Sequence, residues 1–160
     1  MPTRFVKTQV FSLVVTEQDE AIVSAYFADD NDPCASCADD TPLLKQAENE
    51  LIRYANGTLT EFTVPVNPKG TPFMQGVWKQ LKEIPYASTR TYKEIAALCG
   101  NPKATRAVGM ACNRNPIAVI IPCHRVVGSG GALTGFAAGL ETKERLLTLE
   151  AQHKNGGGTT

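Results

Sequence analysis

The sequence has no long apolar run. A membrane-spanning helix takes about 20 consecutive apolar residues, and the uninterrupted apolar stretches here are a few residues long, as at Val119–Ile121 and Val14–Val15. Met1–Val10 lacks an apolar core with a small-residue cleavage site. Secretion and membrane anchoring are therefore not expected, and a cytoplasmic or nuclear protein is. Histidine is scarce, with only His124 and His153, and no complete Cys/His zinc finger can be assembled from local spacing. The cysteines are odd in number: Cys34, Cys37, Cys99, Cys112 and Cys123. Without a secretion signal, that count argues against a disulfide framework and for at least one free thiol. No internal repeat is visible. The 160 residues are 42% hydrophobic and 20% charged, a globular composition that excludes disorder throughout and leaves room for one or two small domains.

The 16 basic and 16 acidic residues cancel, but they are unevenly placed. Residues 1–68 hold 4 Lys/Arg against 11 Asp/Glu, net −7, and residues 69–160 hold 12 against 5, net +7. A basic second half fits a polyanion such as nucleic acid. The alternative is a pair of ordinary charged surfaces or an interface of opposed charge. Cys34-Ala-Ser-Cys37 lies in the acidic loop Asp29–Asp40. It supplies two ligands where a structural zinc takes four, so it reads as an incidental loop pair, with metal or redox use as the alternative.

Residues 5–15 are rich in Val and Phe and predict a strand. Ala21–Phe27 predicts a second, with Glu17–Glu20 as the turn between them. Pro42 opens a helix with Leu43, Leu44, Ala47, Leu51, Ile52 and Tyr54 at helical spacing, and Asn56-Gly57 ends it. Thr58–Val64 predicts a short strand, and Pro65, Pro68 and Gly70 a linker. In the second half Thr71-Pro72 starts a helix with Phe73, Val77, Trp78 and Leu81 inward. Thr91-Tyr92-Lys93-Glu94 is a capping box, in which the Thr side chain and the Glu each satisfy a free backbone donor. Its helix ends at Gly100. Ala104–Asn113 is a further helix, with Val108 inward and small residues elsewhere. Two short helices joined by a Gly-containing turn are a helix-turn-helix candidate. The small side chains of the second would admit a close surface, either a neighbouring helix or DNA. Ile117–Ile121 predicts a buried strand, Gly128–Gly131 with Thr134-Gly135 a flexible loop, Leu140–Leu149 a last helix, and 153–160 a flexible tail.

Cys123 follows the apolar run and Pro122, beside His124 and Arg125. A cysteine attacks as a thiolate, and a neighbouring base or cation is the usual means of making one. On a strand, adjacent side chains point to opposite faces, so a bridging water or a bend would be needed for His124 to serve Cys123. Glu150 is a candidate for orienting the imidazole. The alternative is a buried cysteine near an exposed histidine.

Ile121-Pro122-Cys123-His124-Arg125-Val126-Val127, preceded by Arg106-Ala107-Val108-Gly109 and Asn113-Arg114-Asn115-Pro116, resembles the alkylguanine-DNA alkyltransferase family over residues 69–150. The resemblance extends to Thr91-Tyr92, Asn101-Pro102-Lys103-Ala104, the glycine-rich loop and the last helix. It implies an α+β protein: a small ribonuclease-H-like α/β domain at 1–68, then a mostly helical DNA-binding domain at 69–152. It further implies a self-inactivating, single-turnover transfer of an alkyl group from O-6-alkylguanine in double-stranded DNA to Cys123, by a monomer without metal or cofactor. Cys123 would be the acceptor, His124 its base through a water, Glu150 the group holding His124, and Tyr92 the acid on the leaving guanine. The base must leave the duplex, and Arg106 would fill the vacated space. Lys103, Ala104, Thr105, Ala107, Gly109 and Arg114 would belong to the DNA face, with the helix in the minor groove, whereas ordinary helix-turn-helix proteins use the major groove. Asn115 would be the hinge between this helix and the active-site segment. Val126, Ser129 and Phe136 would meet the flipped guanine. Arg125 would add to the positive field or be structural.

Three departures stand out. Ala138 and Ala87 occupy positions where the family commonly has glycine, and Cys112 is an extra thiol on the recognition helix. Ala138 is expected to narrow the pocket or stiffen its loop. Against alkyl transfer stand a lesion binder without transfer, which the presence of Cys123 disfavours, a cysteine hydrolase or thiol-redox protein, and a metal protein using Cys34 and Cys37.

Overall fold

The computed structural model describes residues 1–133, 136 and 138–154. The chain divides into two compact units, one built on Met1–Pro68 with Pro116–Ala118, the other on Lys69–Asn115 with Val119–Gln152.

The first unit is a three-stranded antiparallel sheet, β1 (Thr3–Lys7), β2 (Ser12–Gln18) and β3 (Ala21–Phe27), in the order β1-β2-β3. The run 5–15 is therefore two strands and not one. Thr8 breaks it: its Oγ1 accepts from the amides of Val10 (3.1 Å) and Phe11 (3.0 Å), and its own amide donates to the Phe11 carbonyl at 2.8 Å. Such a local side-chain bond competes with the ladder. The acidic turn is shorter than the expected Glu17–Glu20, because Glu17 and Gln18 extend β2 and only Asp19 and Glu20 turn, both at positive φ, 53° and 65°, the twist that two-residue hairpin loops favour.

Helix α1 (Pro42–Ala55) packs on β1 and β2. Thr41 caps it by accepting from the Leu44 amide, with Pro42 at the first helical position. Leu44, Ala47, Leu51 and Tyr54 are buried, whereas Ile52 is exposed. Glu50 is buried too, and it explains why Thr58–Val64 is not a strand. Its carboxylate takes the amides of Thr63 (2.8 Å) and Val64 (3.4 Å) and the Thr63 hydroxyl, so these donors are satisfied without a ladder. Ile117–Ile121 is buried but is not a strand either. Only Pro116–Ala118 runs along β3, with Ala25 N to Pro116 O and Ala118 N to Ala25 O both at 2.8 Å. Val119 then turns the chain at φ 69°, a conformation a β-branched residue adopts only when its surroundings enforce it.

The second unit is mostly helical: α2 (Pro72–Lys82), α3 (Tyr92–Leu98), α4 (Thr105–Asn113) and α5 (Leu140–Gln152). Two-residue strands β4 (Arg90–Thr91) and β5 (Val126–Val127) pair in parallel. Thr71 caps α2, and Thr91 and Glu94 form both bonds of the capping box on α3. Gly100, at φ 82°, makes the turn toward α4. α2 packs on α3 and α4, and α3 on α4. Trp78 is buried and its Nε1 donates to the Ala111 carbonyl at 2.9 Å, tying α2 to α4. No described helix is long and apolar enough to cross a membrane. Residues 134, 135 and 155–160 of the anticipated loop and tail lie outside the described residues.

Candidate active site

Pro122 ends the irregular run, and Cys123–Arg125 forms one 3-10 turn. The expected strand geometry, with alternating faces, does not apply. A tight turn sends its three side chains in different directions, and Cys123, His124 and Arg125 are all buried. His124 is fully buried, not exposed.

Helix α5 packs on this turn and brings Glu150 beneath it. Glu150 Oε2 lies 2.6 Å from His124 Nε2. Arg125 donates to both carboxylate oxygens, Nε to Oε1 at 2.9 Å and Nη2 to Oε2 at 3.0 Å. The Ala87 amide donates to Oε1 at 3.0 Å. Arg125 Nη1 also donates to the Ile84 carbonyl at 2.8 Å, and its guanidinium lies over the Tyr86 ring at 5.6 Å. Arg125 is thus structural and does not add to a surface field. Burial alone would raise the Glu150 carboxyl, but the hydrogen bond and charge of His124 and those of Arg125 bring it down to about 2. Glu150 is thus held as a carboxylate between His124 and Arg125. For His124 burial dominates and lowers its pKa, against the pull of Glu150. The imidazole therefore rests neutral, oriented by a carboxylate.

Burial raises the Cys123 thiol above its ordinary range, and hydrogen bonding from Asn115 and the charge of Lys143 oppose this without cancelling it. The resting group is a thiol, not a preformed thiolate. Asn115, just beyond α4, also donates Nδ2 to the Ile121 carbonyl at 2.8 Å, linking the end of α4 to the segment that carries Cys123. Cys112 is buried, its thiol pushed up to about 12 by burial and by the nearby charge of Cys123; it is a core residue.

Tyr92 starts α3 and is half-buried. Its hydroxyl lies 3.4 Å from Nζ of Lys143, a fully buried lysine on α5. The same ammonium lies 5.7 Å from the Tyr92 ring centre and 6.0 Å from that of Phe136. Sequence reasoning missed Lys143. Its signal was its place seven residues before Glu150, on the same face of α5, a face taken as apolar from its leucines alone. Burial lowers the Lys143 pKa.

The residues assigned to a DNA face lie on and around α4. Ala104 is its N-cap, half-buried. Thr105, Arg106 and Ala107 are exposed in its first turn, Lys103 is exposed just before it and Arg114 just after. Gly109 is half-buried, and a methyl group there would sit 4.0 Å from Cε1 of Tyr92. Val126 is buried in β5 beside Arg90, and Ser129 is exposed in a short 3-10 turn. Among the described residues, no group of three or more His, Cys, Asp or Glu is placed to hold a metal ion.

The chain thus has a small helical unit whose buried thiol adjoins a carboxylate-locked imidazole, the arrangement of a protein that uses cysteine as a nucleophile. The model of the 6-O-methylguanine DNA methyltransferase DNA-binding domain matches residues 72–152, and the chain belongs to that family. A methylated-DNA–protein-cysteine methyltransferase of Methanosarcina acetivorans is 55% identical over 115 residues, 72% of this chain and 74% of that protein. The constitutive methylated-DNA–protein-cysteine methyltransferase of Bacillus subtilis is 47% identical over 112 residues, 69% of this chain and 68% of that protein. The crystal structure of Mycobacterium tuberculosis OGT in complex with DNA superposes with a TM-score of 0.85 at 38% identity, covering 94% of this chain and 93% of that one.

Proposed function

We propose that this chain repairs double-stranded DNA by moving the alkyl group of O-6-alkylguanine onto Cys123. Direct, stoichiometric transfer from DNA to a protein cysteine is the reaction of its family, and the chain is a methylated-DNA–[protein]-cysteine methyltransferase. The observation that carries the assignment to Cys123 is the buried His124–Glu150 bond of 2.6 Å in the turn that bears the thiol.

Glu150 occupies Nε2 of His124, so the relay to Cys123 runs through Nδ1 and a bridging water. The neutral imidazole takes the thiol proton as sulfur attacks the alkyl carbon. Arg125 and Glu150 stay an ion pair throughout, and the Glu150 carboxylate stabilises the imidazolium that forms. The carbon–oxygen bond breaks in line with attack, and the electron pair leaves with guanine. Tyr92 delivers a proton to the purine ring, and the Lys143 ammonium beside its hydroxyl favours the phenolate left behind. A thioether remains on Cys123, and each molecule reacts once.

The exposed first turn of α4 is the DNA face in this reading. Its small residues allow the helix to lie close in the minor groove, and Arg106 fills the gap left by the flipped base. The protein acts as a monomer, in the cytoplasm or, in a nucleated cell, the nucleus. Intact mass after mixing with duplex carrying one O-6-methylguanine, followed by peptide mapping, tests the reading. The expected result is one added methylene on Cys123, saturating at one per protein and abolished in Cys123→Ser, which still binds the duplex. Tight lesion binding without any mass gain would indicate a non-transferring lesion binder and overturn the proposal.

A further inference from the structure

Cys34 and Cys37 have no role in alkyl transfer, yet their surroundings are organised. They lie in consecutive turns after β3: Asp32 N to Asp29 O at 3.1 Å, Ala35 N to Asp32 O at 2.9 Å, and Cys37 N to Cys34 O at 2.9 Å. Asp32 Oδ1 fixes the first cysteine by accepting from the Cys34 amide at 2.8 Å, and it accepts from the Tyr26 hydroxyl at 3.2 Å. A hydrogen-bonded four-residue turn holds its end Cα atoms within about 7 Å, overlapping the roughly 4.4–6.8 Å that a disulfide spans. The neighbouring Cys34 thiol is the main cause that raises the Cys37 pKa. Both cysteines are half-buried, whereas Cys112 and Cys123 are buried and Cys99 lies apart on the C-cap of α3.

The turn also anchors the edge of the sheet. The Cys37 carbonyl accepts from the Phe5 amide at 2.8 Å, Asp39 N donates to Thr3 O at 3.1 Å, and Thr3 N donates to Asp39 Oδ2 at 2.9 Å. Residues 37–39 thereby cover the outer edge of β1, which would otherwise offer unpaired backbone groups.

We propose that Cys34 and Cys37 form a redox-active dithiol that closes to an intramolecular disulfide by exchange with low-molecular-weight disulfides, ahead of Cys123. The Cys34 thiolate attacks one sulfur of the small disulfide and expels a thiolate, leaving a mixed disulfide. Cys37 then attacks the Cys34 sulfur and releases the second thiolate. Two electrons leave the protein, the small disulfide is reduced to two thiols, and the two cysteine protons go to them. The bond locks the turn that covers β1 and leaves Cys123 reduced.

The test uses the full chain with oxidised glutathione, then acid quenching, thiol blocking under denaturing conditions and peptide mapping. No Lys or Arg lies between Lys7 and Lys45, so one tryptic peptide carries both cysteines and loses the mass of two hydrogens if they join. The expected result is that loss, with Cys99, Cys112 and Cys123 blocked as free thiols and methyl transfer from lesion DNA unchanged in rate. Cys37→Ser should instead hold a glutathione adduct on Cys34. A lasting adduct on the wild-type pair, five free thiols after exposure, or oxidation of Cys123 before Cys34 would overturn the proposal. Because the readout is thiol chemistry, it is independent of whether Cys123 accepts an alkyl group.

Discussion

Replacing Glu150 by glutamine tests the energetic centre of the site. The carboxylate receives Arg125 twice, His124 and the Ala87 amide, all between 2.6 and 3.0 Å, and its side chain is fully buried. Glutamine keeps the shape but leaves Arg125 buried without a counter-charge, and breaking a buried pair in this way costs about 3–5 kcal/mol. The pH linkage gives a second estimate. The carboxyl falls from an ordinary 4.5 to about 2 in the folded chain, and at about 1.4 kcal/mol per pKa unit that is roughly 3 kcal/mol of stability. Because the folded pKa is depressed, this stability is fully present above about pH 4.5 and is lost as pH falls toward about 2. Urea unfolding followed by the fluorescence of Trp78, the sole tryptophan, buried in the same unit, reads the difference. At pH 7 Glu150→Gln should lose about 3 kcal/mol, and the gap should narrow steadily below pH 4.5. A loss below about 1 kcal/mol at pH 7, the range of an exposed pair, or a gap indifferent to acid, would refute the argument.

Ala87 sits at φ 63°. Relief of left-handed strain, about 1–2 kcal/mol, outweighs the added chain entropy of glycine, about 0.5–1 kcal/mol, so Ala87→Gly should raise the thermal midpoint; a lower midpoint would contradict this. Lys143→Met should slow single-turnover methyl transfer by about 10²-fold, the low end for an assisted general acid, while lesion binding measured with Cys123→Ser in the background stays within about threefold; a normal transfer rate would remove Lys143 from the proton-transfer step. Arg106→Ala should impair repair of duplex far more than reaction with a free alkylguanine base, and equal losses on both would remove its role in base flipping. Because burial lowers the His124 pKa, its basic form persists below the ordinary value of about 6.5. The fall in transfer rate on acidification should therefore have its midpoint below about 6.5, and a midpoint above 6.5 would mean that His124 is not the base.

Where local chemistry governs, the sequence is legible. The Thr caps at 41, 71 and 91, the Pro starts and the Gly100 turn need only neighbours within a helical turn, and α1, α2, α3 and the turn into α4 follow from them. The errors fall where distant groups decide. Thr58–Val64 has a strand's composition, but Glu50 takes its amides across the unit. Ile117–Ile121 is β-branched apart from Ala118, yet Val119 bends it at positive φ. Residues 5–15 are the local exception, split because one threonine hydroxyl closes a turn within the run. In the site, Cys123, His124 and Glu150 were legible as types, and the motif's resemblance supplied Tyr92 and Asn115. The 3-10 turn, the double contact of Arg125 with Glu150 and the burial of Lys143 were not, because each depends on how α5 packs against a segment some twenty residues earlier. The glycine-favouring position of Ala87 was legible by resemblance, but its amide bond to Glu150 needed coordinates.

The electrostatics of the site suit a cysteine that is consumed by its reaction. A catalytic cysteine that is regenerated gains from a standing thiolate, since lost encounters with stray electrophiles are only delays when the adduct can be cleared. A thioether on Cys123 has no such exit, and a standing thiolate would be exhausted by any small alkylating agent. Burial raises the Cys123 thiol and keeps it protonated, and the thiolate is many times the stronger nucleophile. His124 is neutral and held by Glu150, so the base is ready but acts only once a substrate brings the alkyl carbon within reach and supplies a driving force for proton removal. Lys143 divides its charge between two tasks, moderating the Cys123 thiol and supporting Tyr92. In the proposed reaction the same ammonium favours negative charge at the attacking sulfur and at Tyr92 as the acid on the leaving guanine. One buried cation would then support both bond making and bond breaking without a preformed thiolate.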